Sequence, residues 1–299
     1  MTPLVSVMMP CFNSAHTLPL ALASLLAQEY ENWECMLVDD GSTDEPERSV
    51  NLTGDSRIRM SRLDKNRGRG AARQAALEQV RGEYLCMLDA DDWMYPCRIR
   101  RQVETLEREP RASLVSSAMA VVDDRNEIIG VRATMSQTRG GGALRRFSRV
   151  GQPPMSYPAS MVRMTVMQGF RYDPDFPTVE DIDMLLTVLL GRDYCILPEP
   201  CYGYSEHFRT PLRAITLAHF YVRKAFRKHR NRFPVSSRCE VLKSHLKSIG
   251  CRLAFAAGCG KSLIARRTRR PTAGEVECFL QARESVRTVA KSVFASLKI

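Results

Sequence analysis

Tyr84-Leu85-Cys86-Met87-Leu88, running into Asp89-Ala90-Asp91-Asp92, is the stretch whose reading decides the fold. Five consecutive apolar residues read as a strand. The abrupt change to carboxylates at its C-terminal end is how open α/β sheets present a ligand site. The same grammar recurs upstream. Val5–Met9 ends in Pro10-Cys11-Phe12-Asn13, and Trp33–Val38 ends in Asp39-Asp40-Gly41-Ser42-Thr43-Asp44. Ile58–Leu63 reads as a further strand, while Thr17–Gln28 and Ala71–Val80 carry apolar residues at helical spacing. This alternation predicts β-α-β units in a mostly parallel sheet flanked by helices. Right-handed crossovers then bring the three polar loops to one rim.

The chain has 299 residues, enough for one large α/β domain and an appendage. With 44% hydrophobic and 26% charged residues, a disordered, collagen-like or disulfide-scaffold class is excluded. The formal net charge of +11 is unevenly placed. Residues 208–299 hold 21 of the 44 Lys+Arg and only four of the 33 Asp+Glu. Residues 1–207 are therefore mildly acidic, and the division predicts a catalytic domain over 1–207 and a basic extension over 208–299. No basic stretch precedes Pro3, and no apolar run approaches the ~18 residues of a membrane span. The ten cysteines form no C-x-x-C pair, which suits a reducing compartment. A cytoplasmic protein is the expectation.

Asp89 and Asp91 offer two carboxylates at one strand end. Hard divalent cations such as Mg²⁺ or Mn²⁺ take such ligands together with substrate phosphates. The plainer alternative is a solvated aspartate turn that caps the strand. Glu180-Asp181-Ile182-Asp183 opens a helix running to about Leu190, with its acids at the favoured N-terminal end. Asp181 is placed to act as a general base, although capping alone would also explain an acid there. Leu114–Val122 and Glu127–Arg132 read as a hairpin. Beyond residue 208 the pattern is helical over 211–231, 237–257 and 273–296, with Pro234 and Pro271 marking breaks.

Taken together, the motifs resemble those of the family 2 glycosyltransferases of the GT-A fold. The P-x-Y/F-N opening stands at Pro10–Asn13 and the D-D-G-S-T-D element at Asp39–Asp44. N-x-G-x-x-x-A-R-N appears as Asn66 to Gln74, D-x-D as Asp89-Ala90-Asp91, and E-D-x-D as Glu180 to Asp183. The likeness spans about Val5 to His207, two-thirds of the chain. It implies a nucleotide-diphosphate sugar donor, a glycan or lipid-linked acceptor, and a Mg²⁺ or Mn²⁺ cofactor. Pro10, Phe12 and Asn13 would line the nucleobase pocket, with Asp40 accepting from the base. Arg73, Asp89 and Ala90 would lie along the nucleotide, and Asp91 and His207 would hold the metal. Asp181 would be the base of an inverting transfer, typical of bacterial surface polysaccharide or lipopolysaccharide synthesis. Gln74, Cys97 and Ser205 depart from the pattern, and Ser205 stands where an Arg is frequent. The Q-x-x-R-W element of processive members is absent, so one sugar per encounter is expected. A sugar nucleotidyltransferase is the rival enzyme, disfavoured because its Gly-rich, Lys-containing signature is missing after the first strand.

Gly258-Cys259-Gly260-Lys261-Ser262 looks like the end of a P-loop, but Phe255 occupies the position where the first glycine is required. The basic third carries Arg223-Lys224, Arg227-Lys228 and Arg266-Arg267 among apolar residues such as Leu217 and Phe220. An anionic membrane surface reached through 208–299 and simple packing on the body both fit this pattern. Nucleic acid fits least, since no zinc-finger, RRM or basic-zipper pattern accompanies the bases.

Overall fold

The computed structural model describes residues 2–132, 142–206, 211–258 and 268–295. The N-terminal part alternates β1 (Val5–Cys11), α1 (Leu18–Leu26), β2 (Trp33–Asp39), α2 (Glu47–Thr53), β3 (Ile58–Arg62), α3 (Arg69–Leu77) and β4 (Tyr84–Met87). Next come β5 (Trp93–Met94), α4 (Arg98–Arg108), β6 (Ala112–Val122), β7 (Ile128–Arg132) and β8 (Arg145–Arg146). They are followed by β9 (Ser160–Arg163), α5 (Met164–Met167), α6 (Glu180–Leu189) and β10 (Asp193–Ser205). The remaining described helices are α7 (Leu212–Lys228), α8 (Pro234–Ala256) and α9 (Ala273–Val293).

The strands form one mixed sheet in the order β3-β2-β1-β4-β9-β6-β10-β5, with β7 on β6 and β8 on β10. The run β3-β2-β1-β4 is parallel throughout, as the alternation predicts. Farther along, β9 pairs antiparallel with both β4 and β6, while β6 and β10 are parallel. Cys11 registers with Asp39, and Met8 with Met87, so the C-terminal ends of β1, β2 and β4 lie side by side. The polar loops after those strands share one rim.

Side chains alternate across a strand, and here both faces are covered. Val5, Val7 and Met9 join a core with α1, α4 and α9, while Met8, Met36 and Met87 join one with α3, α6 and α7. That double burial explains why β1, β2 and β4 read as unbroken apolar runs.

The later helices are built into these two cores. Phe279 of α9 lies 5.5 Å from Trp93, which itself stacks on Tyr95 at 5.2 Å. Phe226 and Ala225 of α7 are buried against the opposite face. Ahead of α9, Val131 of β7 exchanges both backbone hydrogen bonds with Arg269. Pro234 is not a break but the first residue of α8, where its missing N–H costs nothing. Among the described residues no helix is long and apolar enough to cross a membrane.

Candidate active site

The loops after β1 and β2 are laced to each other. Ser42 Oγ donates to Asp39 Oδ1 at 2.5 Å and accepts from the Asn13 N–H at 2.8 Å. Asn13 Oδ1 accepts from the Thr43 N–H at 2.9 Å, and Asp44 accepts from the Ala15 N–H at 2.8 Å. Gly41 is required at the crossing: its φ is +75°, and a Cβ would sit 2.7 Å from the Lys65 carbonyl carbon. This lacing fixes Pro10, Phe12 and Asn13 on the rim, where Phe12 is 43% exposed.

Asp40 is 3% exposed and grips the next loop. Its two oxygens accept from the Arg67 and Gly68 backbone N–H groups, each at 2.7 Å. These bonds seat the start of α3, and each oxygen keeps a second lone-pair direction.

Arg73, on α3, is buried and joins two motifs far apart in sequence. Its Nη1 donates to Glu180 at 2.6 Å and its Nη2 to Asp89 at 3.0 Å, with the guanidinium 4.5 Å over the Tyr157 ring. Burial works against its charge, but Tyr157, Asp89 and Glu180 together raise its pKa well above the usual value. Burial also raises the Glu180 carboxyl, and Arg73 and Arg69 offset part of that rise. Arg73 is thus a strut between β4 and α6.

At the end of β4, the Asp89 N–H donates to Tyr202 Oη at 3.1 Å. Ala90 is buried. The Asp91 carbonyl accepts from Ser205 Oγ at 2.7 Å, and Asp92 accepts from the Ser205 N–H at 2.8 Å. Ser205 therefore shapes the D-x-D loop itself, a role that its departure from the family pattern did not reveal. Burial, then the neighbouring Asp91 and Asp89, push the Asp92 carboxyl well above its ordinary range. Among the described residues its Oδ2 is buried without a hydrogen-bond partner. Carboxylates at this strand end are the ligand type a hard divalent cation takes. Among the described residues no group of three or more His, Cys, Asp and Glu stands ready to hold a metal. His207 lies outside the described residues.

The acids of E-D-x-D separate by partner. Glu180 belongs to Arg73, while Asp183 takes Lys228 of α7 at 2.9 Å. Among the described residues, the Asp181 carboxylate has one hydrogen bond, from the Ile182 N–H at 2.8 Å, and no ion pair. Val179, just before the helix, has φ +69°, which is strained for a β-branched residue. Two further contacts escaped the sequence reading. Gln74, in place of the usual Asn, accepts from the Tyr172 N–H at 2.9 Å, and the Tyr172 and Tyr157 hydroxyls meet at 2.6 Å. No spacing rule links residues that far apart. A cleft of about 660 Å³ lined by Leu20, Arg125 and Phe294 lies elsewhere and shares none of these residues.

Residues 6–174, more than half of the chain, match the model for glycosyl transferase family 2. The chain is 30% identical over 230 residues to the succinoglycan biosynthesis protein ExoO of Rhizobium meliloti, covering 69% of this chain and 61% of that protein. The chain thus spans about three-fifths of that relative's length. It is 34% identical over 103 residues to the UDP-Glc:alpha-D-GlcNAc-diphosphoundecaprenol beta-1,3-glucosyltransferase WfgD of Escherichia coli, covering 34% of this chain and 41% of that one. In fold it is similar to S. aureus TarS 1–349 in complex with UDP, with a TM-score of 0.60 at 17% identity over 95% of this chain and 91% of that one. It is similar too to the mannosyltransferase PcManGT of Pyrobaculum calidifontis in complex with GDP-Man and Mn²⁺, with a TM-score of 0.57 at 16% identity, covering 100% and 89% of the two chains. The five motifs, the parallel β3-β2-β1-β4 core and the matched span agree, and the chain belongs to glycosyl transferase family 2.

Proposed function

We propose that this protein is an inverting, metal-dependent glycosyltransferase that passes one sugar per encounter from a UDP-sugar to a glycan or lipid-linked acceptor in bacterial surface polysaccharide synthesis. The observation that carries this reading is the division of labour among the E-D-x-D acids. Glu180 and Asp183 are neutralised by Arg73 and Lys228, which leaves Asp181, among the described residues, without a counter-charge at the N-terminus of α6. An unpaired carboxylate beside the donor rim is what a general base needs. It would take the proton of the acceptor hydroxyl as that oxygen attacks the anomeric carbon.

The donor reading rests on the rim. The free lone pairs of Asp40 suit the imide N–H of a uracil, and Phe12 offers a face for the base. TarS is described with UDP and with UDP-GlcNAc, in keeping with that choice. Asp91, with His207 as the family resemblance suggests, would hold the cation. When bound, a Mg²⁺ or Mn²⁺ ion would neutralise charge on the departing diphosphate. Arg73 holds Asp89 and Glu180 at a fixed spacing, so donor loop and base are positioned as one unit. WfgD is named for a diphosphoundecaprenol acceptor, which supports a lipid-linked acceptor here.

A panel of nucleotide-sugars, screened by thermal stabilisation with and without Mn²⁺, tests the donor and the metal together. A UDP-sugar should raise Tm more than GDP- or CMP-sugars, and the gain should shrink with chelator. Equal stabilisation by every nucleotide, or no effect of chelator, would contradict the reading. In a pulse–chase with labelled donor, single additions are expected; a ladder of long products would refute transfer of one sugar per encounter.

A further inference from the structure

Helix α8 turns the wrong face outward for a helix in water. Ser237, Ser244 and Ser248 are buried, with Ser237 Oγ donating to the Phe226 carbonyl of α7 at 2.5 Å. On the opposite side Val235, Leu242, Leu246, Ile249 and Leu253 are 54–74% exposed. At 3.6 residues per turn these five side chains fall within an arc of roughly 60°. A soluble surface helix shows the reverse arrangement.

The charges are placed to match. Arg238 and Arg252 flank one side of the stripe, and Lys243 and Lys247 the other, all exposed. Glu240 is the one acid in α7 and α8, and it is ion-paired with Lys243 at 2.7 Å. On α7 nearby, Leu217 and Phe220 are each half-exposed. Burial, with Arg227 and Arg252 close by, pushes Arg223 below its usual value, a sign of uncompensated positive charge.

We propose that the outer face of α8 docks on an anionic lipid bilayer, its aliphatic stripe entering the headgroup region and its bases meeting lipid phosphates. A second copy of the chain would bring like charges together, and a nucleic acid would leave five aliphatic side chains in water. Only a surface both anionic and apolar satisfies both halves of the face. The proposal goes beyond the transfer chemistry, and its test needs neither donor nor acceptor, so either can fail without the other.

The full chain is sedimented with vesicles of phosphatidylcholine alone and of phosphatidylcholine with phosphatidylglycerol. Binding is expected on the anionic vesicles at about 0.1 M salt and should weaken strongly at about 1 M. Lys247→Gln with Arg252→Gln should lower binding roughly 30-fold at low salt. Leu246→Gln with Leu253→Gln should lower it by more than about tenfold, with circular dichroism unchanged. The proposal is overturned if the wild-type chain stays in the supernatant with anionic vesicles at low salt. It is equally overturned if the leucine variant pellets like the wild type, or if light scattering shows that variant only converting a dimer to monomers.

Discussion

Arg73 is buried between two carboxylates, so its removal strands a charge. Arg73→Met should destabilise the fold by about 3–5 kcal/mol in denaturant titrations, because buried Glu180 keeps only the more exposed Arg69 at 3.3 Å and Asp89 loses its ion pair with Arg73. Adding Glu180→Gln should recover part of that loss, because it removes the buried carboxylate charge that Arg73 neutralised. Gly203 is a second fixed point: a Cβ there would lie 2.4 Å from the Trp93 ring, which is itself buried. Gly203→Ala should therefore cost about 1–3 kcal/mol by overpacking, read as a lower denaturation midpoint at unchanged m-value. The sequence makes Arg73, Asp91 and Asp181 legible through their motifs. It cannot show that Arg73 pairs with a carboxylate 107 positions later, since a linear spacing carries no information on long-range partners. Ser205 was harder still, because its value lies in an N–H and a hydroxyl that fasten Asp91 and Asp92.

At the scale of elements, the helices begin in different ways, and only some of those starts can be seen in one dimension. Helix α9 begins with a capping box in which Thr272 and Glu275 satisfy each other's backbone N–H groups. Arg269 adds an ion pair at 2.5 Å, and hydrogen bonding from Arg269 lowers the Glu275 pKa to about 2. A carboxyl depressed in the folded state contributes stability above its unfolded pKa and loses it as pH falls through the folded value. Glu275→Gln should thus lower Tm at pH 5–7 by an amount set by roughly 1 kcal/mol. The difference from wild type should close as pH falls from about 4.5 towards 2; a pH-independent difference would show that the carboxylate's charge is not what matters. Helix α8 illustrates the other case. Its Pro234 looks like a break in one dimension, yet a proline at the first helical position is compatible with the helix beyond it.

Across the whole molecule, the parallel half of the sheet was legible because β1, β2 and β4 are covered on both faces and so read as plain apolar runs. The antiparallel insertion of β9 between β4 and β6 was not, since a strand of only four residues is too short to show a clear period or direction. Charge told a different story at this scale. The acidic body presents carboxylates on its rim, and the excess of bases lies in residues 208–299, whose α8 faces outward with leucines. The central proposal is chemical: one carboxylate, Asp181, would take the acceptor's proton. Sugar transfer and nucleotide binding are to be measured side by side on wild type and Asp181→Asn, with calorimetry for the nucleotide. The predicted result is a loss of transfer by about 10²–10⁴-fold with nucleotide affinity unchanged. Transfer at the wild-type rate by Asp181→Asn would contradict the account.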